Sequence, residues 1–148
     1  MSTGESSVPR PFVVHVSDSS WTDWDDPRDG LLSFTSTIGD GTTPSDTMTA
    51  GLTKLPPGGW LGRHSHEATE IYHVLSGQGV VQLAGEKKAI GPGSMVFIPS
   101  GSVHGVRNTG DRDLEFFYVY AADSATDERT RYTYPAEPSP DIDESRSS

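Results

Sequence analysis

The chain has 148 residues, a formal charge of −10 at neutral pH, no cysteine and a hydrophobic content of 32%. Such a length predicts one domain. The acidity argues against a nucleic-acid surface, which needs clustered Lys and Arg, and against docking on anionic lipid, and the lack of cysteine excludes disulfides and thiolate metal sites. No run approaches the ~20 apolar residues of a membrane span, and no basic-then-apolar leader is visible, so a cytoplasmic protein with neither nucleic acid nor membrane among its partners is the expectation.

Residues 1–11, MSTGESSVPRP, and 135–148, PAEPSPDIDESRSS, are rich in Ser, Pro and acids. They lack the apolar surface that offsets chain ordering and are expected to be a flexible N-terminus and a disordered acidic tail. The compact part is expected at 12–134. Helical periodicity is nearly absent there, while Gly and Pro punctuate short runs of Val, Ile, Phe, Tyr and Thr. This pattern predicts an all-β sandwich or barrel. Strands are expected at 12–16, 31–38, 47–55, 70–76, 79–83, 87–90, 95–98, 103–108 and 114–120. A helical turn is expected within 18–30, around Trp21 and Trp24. Turns are expected at 56–59, 76–77, 84–86, 91–93 and 109–111.

The stretch 62–77, GRHSHEATEIYHVLSG, concentrates three histidines, two glutamates and a tyrosine. Residues two apart on a strand face the same side. His64 and His66 therefore share a face if that stretch is extended. Glu70 and Tyr72 share one on the next strand, and His73 points the other way. With His104 as a fourth donor, imidazoles and a carboxylate suit a first-row divalent metal, with Fe, Mn, Ni, Co and Zn equally compatible. Burying Glu70 among histidines without a cation would be costly. Trp60 has the parity of His64 and is a candidate pocket residue. Lys54, Arg63 and Arg107 are candidate anion anchors, against the commoner role of solvated surface side chains. Tyr118, Tyr120 and Tyr132 are candidate second proton donors, of which Tyr118 and Tyr120 are expected to contact substrate.

Residues 58–77 read G-GWLGR-HSH-EAT-E-IYHVLS-G, and residues 93–108 read G-SMVFI-P-S-G-SV-H-GVR-N, with fifteen residues between them. Both resemble the paired motifs of the cupin superfamily at every fixed position. The resemblance implies a double-stranded β-helix, or jelly-roll, barrel with one divalent transition metal per chain. It assigns the ligand roles to His64, His66, Glu70 and His104, and it implies a homodimer, often formed through an N-terminal strand. The H-x-H-x-x-x-E-x-Y arrangement is similar to that of the cupin dimethylsulfoniopropionate lyases, which implies that Tyr72 is a catalytic acid or base. The alternative for Tyr72 is a core tyrosine with a satisfied hydroxyl. Three functions are compatible with these residues. The first is a metal-dependent lyase or isomerase abstracting a proton from a small carboxylate or carbonyl substrate. The second is an Fe(II)-dependent dioxygenase, and the third is a non-catalytic small-molecule-binding cupin.

Overall fold

The computed structural model describes residues 9–136. Most of the two segments expected to be flexible, residues 1–8 and 137–148, therefore lies outside the described residues. Ten strands form in chain order: β1 Thr22–Asp26, β2 Gly30–Ile38, β3 Thr49–Leu55, β4 Trp60–His64, β5 Glu70–Ser76, β6 Gly79–Leu83, β7 Glu86–Ile90, β8 Met95–Ile98, β9 His104–Asn108 and β10 Leu114–Tyr120. The remaining regular structure among the described residues is two single turns of 3₁₀ helix, Val16–Asp18 and Glu128–Thr130. The protein is all-β, as its composition predicts, and no described helix is long and apolar enough to cross a membrane.

The strands make one antiparallel sheet in the order β7-β6-β9-β4-β2-β3-β10-β5-β8, with β1 added to β2. The sheet curls strongly. Glu70 on β5 lies 3.5 Å from His104 on β9, although four strands separate β5 from β9 in the sheet order. Alternation along each strand directs Leu55, Val74, Val81, Ile98, Val106, Leu114 and Phe116 into one continuous apolar core, each of them 1% exposed or less. Turn chemistry closes the hairpins. Gly77 has φ 89°, and a Cβ there would lie 2.4 Å from the Asp113 carbonyl oxygen, so only glycine fits. Asn108 ties three segments, donating to the Leu55 and Arg112 carbonyls and accepting from the Gly110 N–H.

The strand expected at 12–16 does not form. Its apolar residues find no partner strand among the described residues, Val13 is 94% exposed, and the chain turns into the first 3₁₀ helix instead. The helical turn expected within 18–30 is replaced by β1, which forms a hairpin with β2 and pairs Trp24 with Leu32. Trp24 alone turns toward the core, and the other four residues of TDWDD are exposed. Strand β4 was not among those expected. It pairs with β2 at only two positions, and its register with β9 shifts between Leu61 and His64.

Candidate metal centre

His64 closes β4, His104 opens β9, and the two are register partners. His66 lies in the connection to β5, and Glu70 is the first residue of β5. The four sit at the centre of the curled sheet, with exposures of 1% for His64, 8% for His66, 7% for Glu70 and 0% for His104. One ligand atom from each histidine lies within 4.8 Å of those of the other two. Glu70 Oε1 approaches His66 Nε2 to 3.0 Å and His104 Nε2 to 3.5 Å.

Each imidazole is oriented by a backbone carbonyl two residues away. The Nδ1 of His64 meets the Gly62 oxygen at 2.6 Å, that of His66 the Ala68 oxygen at 2.8 Å, and that of His104 the Ser102 oxygen at 2.9 Å. A carbonyl only accepts, so all three Nδ1 atoms carry a proton and each ring turns its Nε2 inward; that of His66 faces the Glu70 carboxylate and donates to it. This is the outer-shell arrangement that fixes tautomer and ring direction in metal-binding histidines. Backbone contacts hold the connection as well: the Gly101 N–H donates to the His66 carbonyl at 2.9 Å.

The electrostatics agree with a set of ligands. Burial, and then the neighbouring His104, push the His64 pKa well below its ordinary value, so this ring stays neutral. Burial alone would lower His66 and raise Glu70. The bond and charge of Glu70 outweigh burial at His66 and raise it, and His104 and then His66 outweigh burial at Glu70 and lower it. Glu70 is therefore a buried carboxylate. His104 Nε2 is a fully buried nitrogen with no hydrogen-bond partner, and such an atom costs about 1–3 kcal/mol. Three imidazoles with Nε2 turned inward, one carboxylate and an unpartnered ring nitrogen fit a divalent transition-metal ion, which would take the place of the proton between His66 and Glu70.

A cavity of about 420 Å³ opens beside this cluster, and His66, Glu70 and Tyr72 form part of its wall. Tyr72 is 2% exposed, and its ring centroid lies 6.2 Å from that of His104. Burial, and then the Glu70 charge, hold its hydroxyl well above the ordinary tyrosine pKa. Tyr118 and Tyr120 also line the cavity and stack on each other at 5.6 Å. The Tyr118 hydroxyl is committed: it donates to the Thr35 carbonyl at 3.0 Å, lies 2.9 Å from Ser36 Oγ, and is pushed up to about 12 by burial.

The wall does not include Trp60, Lys54 or Arg63. The shift of register between Leu61 and His64 inserts one extra residue into β4, so Leu61 and His64 both face inward and Trp60 lies on the other side. Alternation on β3 points Thr53 inward and Lys54 outward, where its Nζ sits 4.9 Å over the Trp21 ring. Arg63 lies against Gly105 on the outer face, and Arg107 pairs there with Trp60.

Apart from Tyr132, a candidate proton donor from the sequence, two parts of the wall lie outside the sequence-based expectations. One is the pair Trp24 and Phe34, packed edge to face at 5.1 Å. The other is the segment after β10, residues 121–134, which crosses the open end of the sheet and contributes Asp127, Glu128, Arg131, Tyr132 and Tyr134 to the cavity. The alternation of Tyr132 and Tyr134 was the available signal, since it places both rings on one side of an extended segment.

A family model described as Cupin domain matches residues 51–120. The chain is 46% identical over 67 residues to an oxalate-binding protein of Thermotoga maritima, covering 45% of this chain and 55% of that protein. The chain thus spans about half the length of that relative. It is 30% identical over 127 residues to the dimethylsulfoniopropionate lyase DddW of Ruegeria pomeroyi, covering 85% of this chain and 81% of the lyase. Among solved structures, one described as a predicted oxalate decarboxylase from Thermotoga maritima superposes with a TM-score of 0.65 at 30% identity, over 74% of this chain and 98% of that one.

Proposed function

The chain belongs to the cupin superfamily, and from that premise we propose that it is a metal-dependent lyase or isomerase that removes a proton from a small carboxylate or carbonyl substrate. His64, His66, Glu70 and His104 hold the ion. A divalent cation there supplies Lewis acidity toward a substrate carboxylate and positive charge that favours the Tyr72 phenolate.

Tyr72 is the base. It stands two residues after Glu70 on β5 and lines the same cavity. As phenolate it takes the proton from the carbon next to the substrate's carboxylate. The electron pair left behind forms a double bond to the neighbouring carbon, and the leaving group departs with its own bonding pair. Trp24, Phe34, Tyr120, Tyr132 and Tyr134 surround the remaining volume with aromatic faces. Such walls accept an apolar or onium leaving group and exclude water from the reacting atoms. The observation that carries this reading is the inward convergence of three Nε2 atoms and one carboxylate, with Tyr72 beside them.

Dimethylsulfoniopropionate, the substrate named for one relative, has this bond pattern and is the first probe. Metal-loaded protein is expected to release dimethyl sulfide under strict anaerobiosis, and Tyr72→Phe is expected to keep its metal and lose about 10²–10⁴-fold in rate. Should this probe be inert, a panel of small β-substituted carboxylates replaces it in the same assay. Turnover that requires oxygen points to a dioxygenase and overturns the proposal. Binding of the carboxylates without any product points to a non-catalytic cupin and overturns it too.

A further inference from the structure

The family model ends at Tyr120, where β10 ends. The segment beyond it, residues 121–134, lies outside that match, yet it is tied to the metal centre at close range. Ser65, the residue between His64 and His66, makes a two-bond antiparallel bridge with Thr133, at 2.9 Å and 2.8 Å. Three residues further on, the Ala68 N–H donates to the Arg129 carbonyl at 2.8 Å, while the Ala68 carbonyl orients the His66 ring. The Asp127 carboxylate caps the short 3₁₀ helix, accepting from the Arg129 N–H and guanidinium. The far end is anchored by the Tyr134 hydroxyl donating to Asp29 and by the Arg28 guanidinium, 4.1 Å over the Tyr134 ring.

Tyr132 sits within this frame. Its ring lies flat on the His64 imidazole, centroid to centroid 3.7 Å with 15° between planes. The edge of the His64 ring is held by the Gly62 carbonyl and its face by Tyr132, with His104 4.2 Å away. An imidazole fixed only through Nδ1 can still tilt about that hydrogen bond, and a ring stacked on its face removes that freedom.

We propose that Tyr132 is a positioning residue of the metal centre, and that segment 121–134 sets metal affinity by clamping His64 through the Tyr132 stack and the Ser65–Thr133 bridge. The proposal rests on the reading of His64, His66, Glu70 and His104 as ligands. It assigns to the segment a role toward the ion itself, separate from its place in the cavity wall. The ring is what matters for positioning, so phenylalanine serves as well as tyrosine.

The test is competitive titration of apo-protein with Zn²⁺ or Co²⁺ against a chromophoric chelator, alongside melting of the apo form. Tyr132→Ala is expected to weaken metal binding by about tenfold or more, in the range seen for outer-shell partners of metal ligands. Tyr132→Phe is expected to bind like the wild type. Thr133→Pro deletes the donor to the Ser65 carbonyl while keeping Tyr132, and is expected to weaken binding as well. The apo proteins should melt close together. Unchanged affinity in Tyr132→Ala overturns the proposal, as does an equal loss in Tyr132→Phe, which would assign the effect to the hydroxyl. A fall in apo melting temperature as large as the holo one would make Tyr132 a general stabiliser and overturn it also. A wild-type chain that binds no metal at all would defeat the ligand reading itself, which is a distinguishable result.

Discussion

Strands β5 and β10 run side by side, and each presents two faces of opposite character. The inner face of the pair carries Glu70, Tyr72 and Val74 opposite Tyr120, Tyr118 and Phe116. The outer face carries Ile71 and His73 opposite Val119 and Phe117, and β8 extends both rows with Phe97 and Met95. An antiparallel sheet ordinarily turns apolar residues inward and polar ones to solvent. Here the ionisable groups are buried, while Met95 is 70% and Phe97 63% exposed. Each inversion asks for a partner. A buried carboxylate among imidazoles is stable when a cation joins it, and a contiguous exposed apolar face marks a surface that something covers.

The largest effect should come from cutting the inner face. Purified protein is expected to carry about one divalent ion per chain, and Glu70→Ala or His104→Ala to lower that to a small fraction, since each removes one ligand from a set of four. Ile71→Ala, one residue along on the outer face, should leave it unchanged. Elemental analysis after dialysis checks both. Finding no ion in the wild type, with none taken up on titration, would break the comparison at its root.

The next test uses two adjacent phenylalanines. Phe116 is 1% exposed in the core and Phe117 36% exposed on the outside. Phe116→Ala should destabilise by about 3–5 kcal/mol through lost transfer energy and the cavity left behind. Phe117→Ala should cost about 1 kcal/mol or less in the isolated barrel. Urea melts of the two variants measure the difference, and equal losses would show that the outer face is already packed against something in solution.

The same inner and outer sorting shows why the sequence was readable in some places and opaque in others. The four candidate ligands were legible because their chemistry is restrictive, few residue types holding a metal, and because both motifs resemble the cupin pair at every fixed position; parity served Glu70 and Tyr72, whereas His66 lies off the strand. Tyr72 came with them by counting two residues from Glu70. Parity failed at Trp60, because the extra residue in β4 reverses the faces and nothing in WLGRH announces a bulge. It failed differently at 12–16, where a strand-like run lacks a strand to pair with among the described residues. The run TDWDD hid β1 because three acids in five residues read as a turn, although the single Trp24 was enough to anchor it. The segment after β10 shows periodicity only in the alternation of Tyr132 and Tyr134. Its position is fixed by individual hydrogen bonds to Ser65, Ala68 and Asp29, which no local pattern encodes.

The outer face sharpens into a prediction of self-association. Its two rows hold no carboxylate of their own, and the nearest on that face, Glu115, is the register partner of Lys54. Two copies of a chain with charge −10 meet least repulsion there. A dimer is expected in light scattering, and Met95→Glu with Phe97→Glu is expected to shift it toward monomer while metal content holds. A wild-type monomer at all concentrations would leave the apolar rows to a different partner.

The smallest effect should belong to His73, and its smallness is what makes it informative. His73 lies in the same sixteen-residue stretch as His64 and His66, and composition alone does not set it apart. Its register partners are Phe117 and Met95, both on the outer face, whereas those of Tyr72 one position earlier are Tyr118 and Val96, both buried. One step along a strand turns a side chain to the opposite face of the sheet. His73→Ala should therefore change stability by about 0.5 kcal/mol or less and leave the bound ion in place, while His66→Ala removes it. Loss of metal in both variants would mean that proximity in the chain, and not the face each ring occupies, governs the centre.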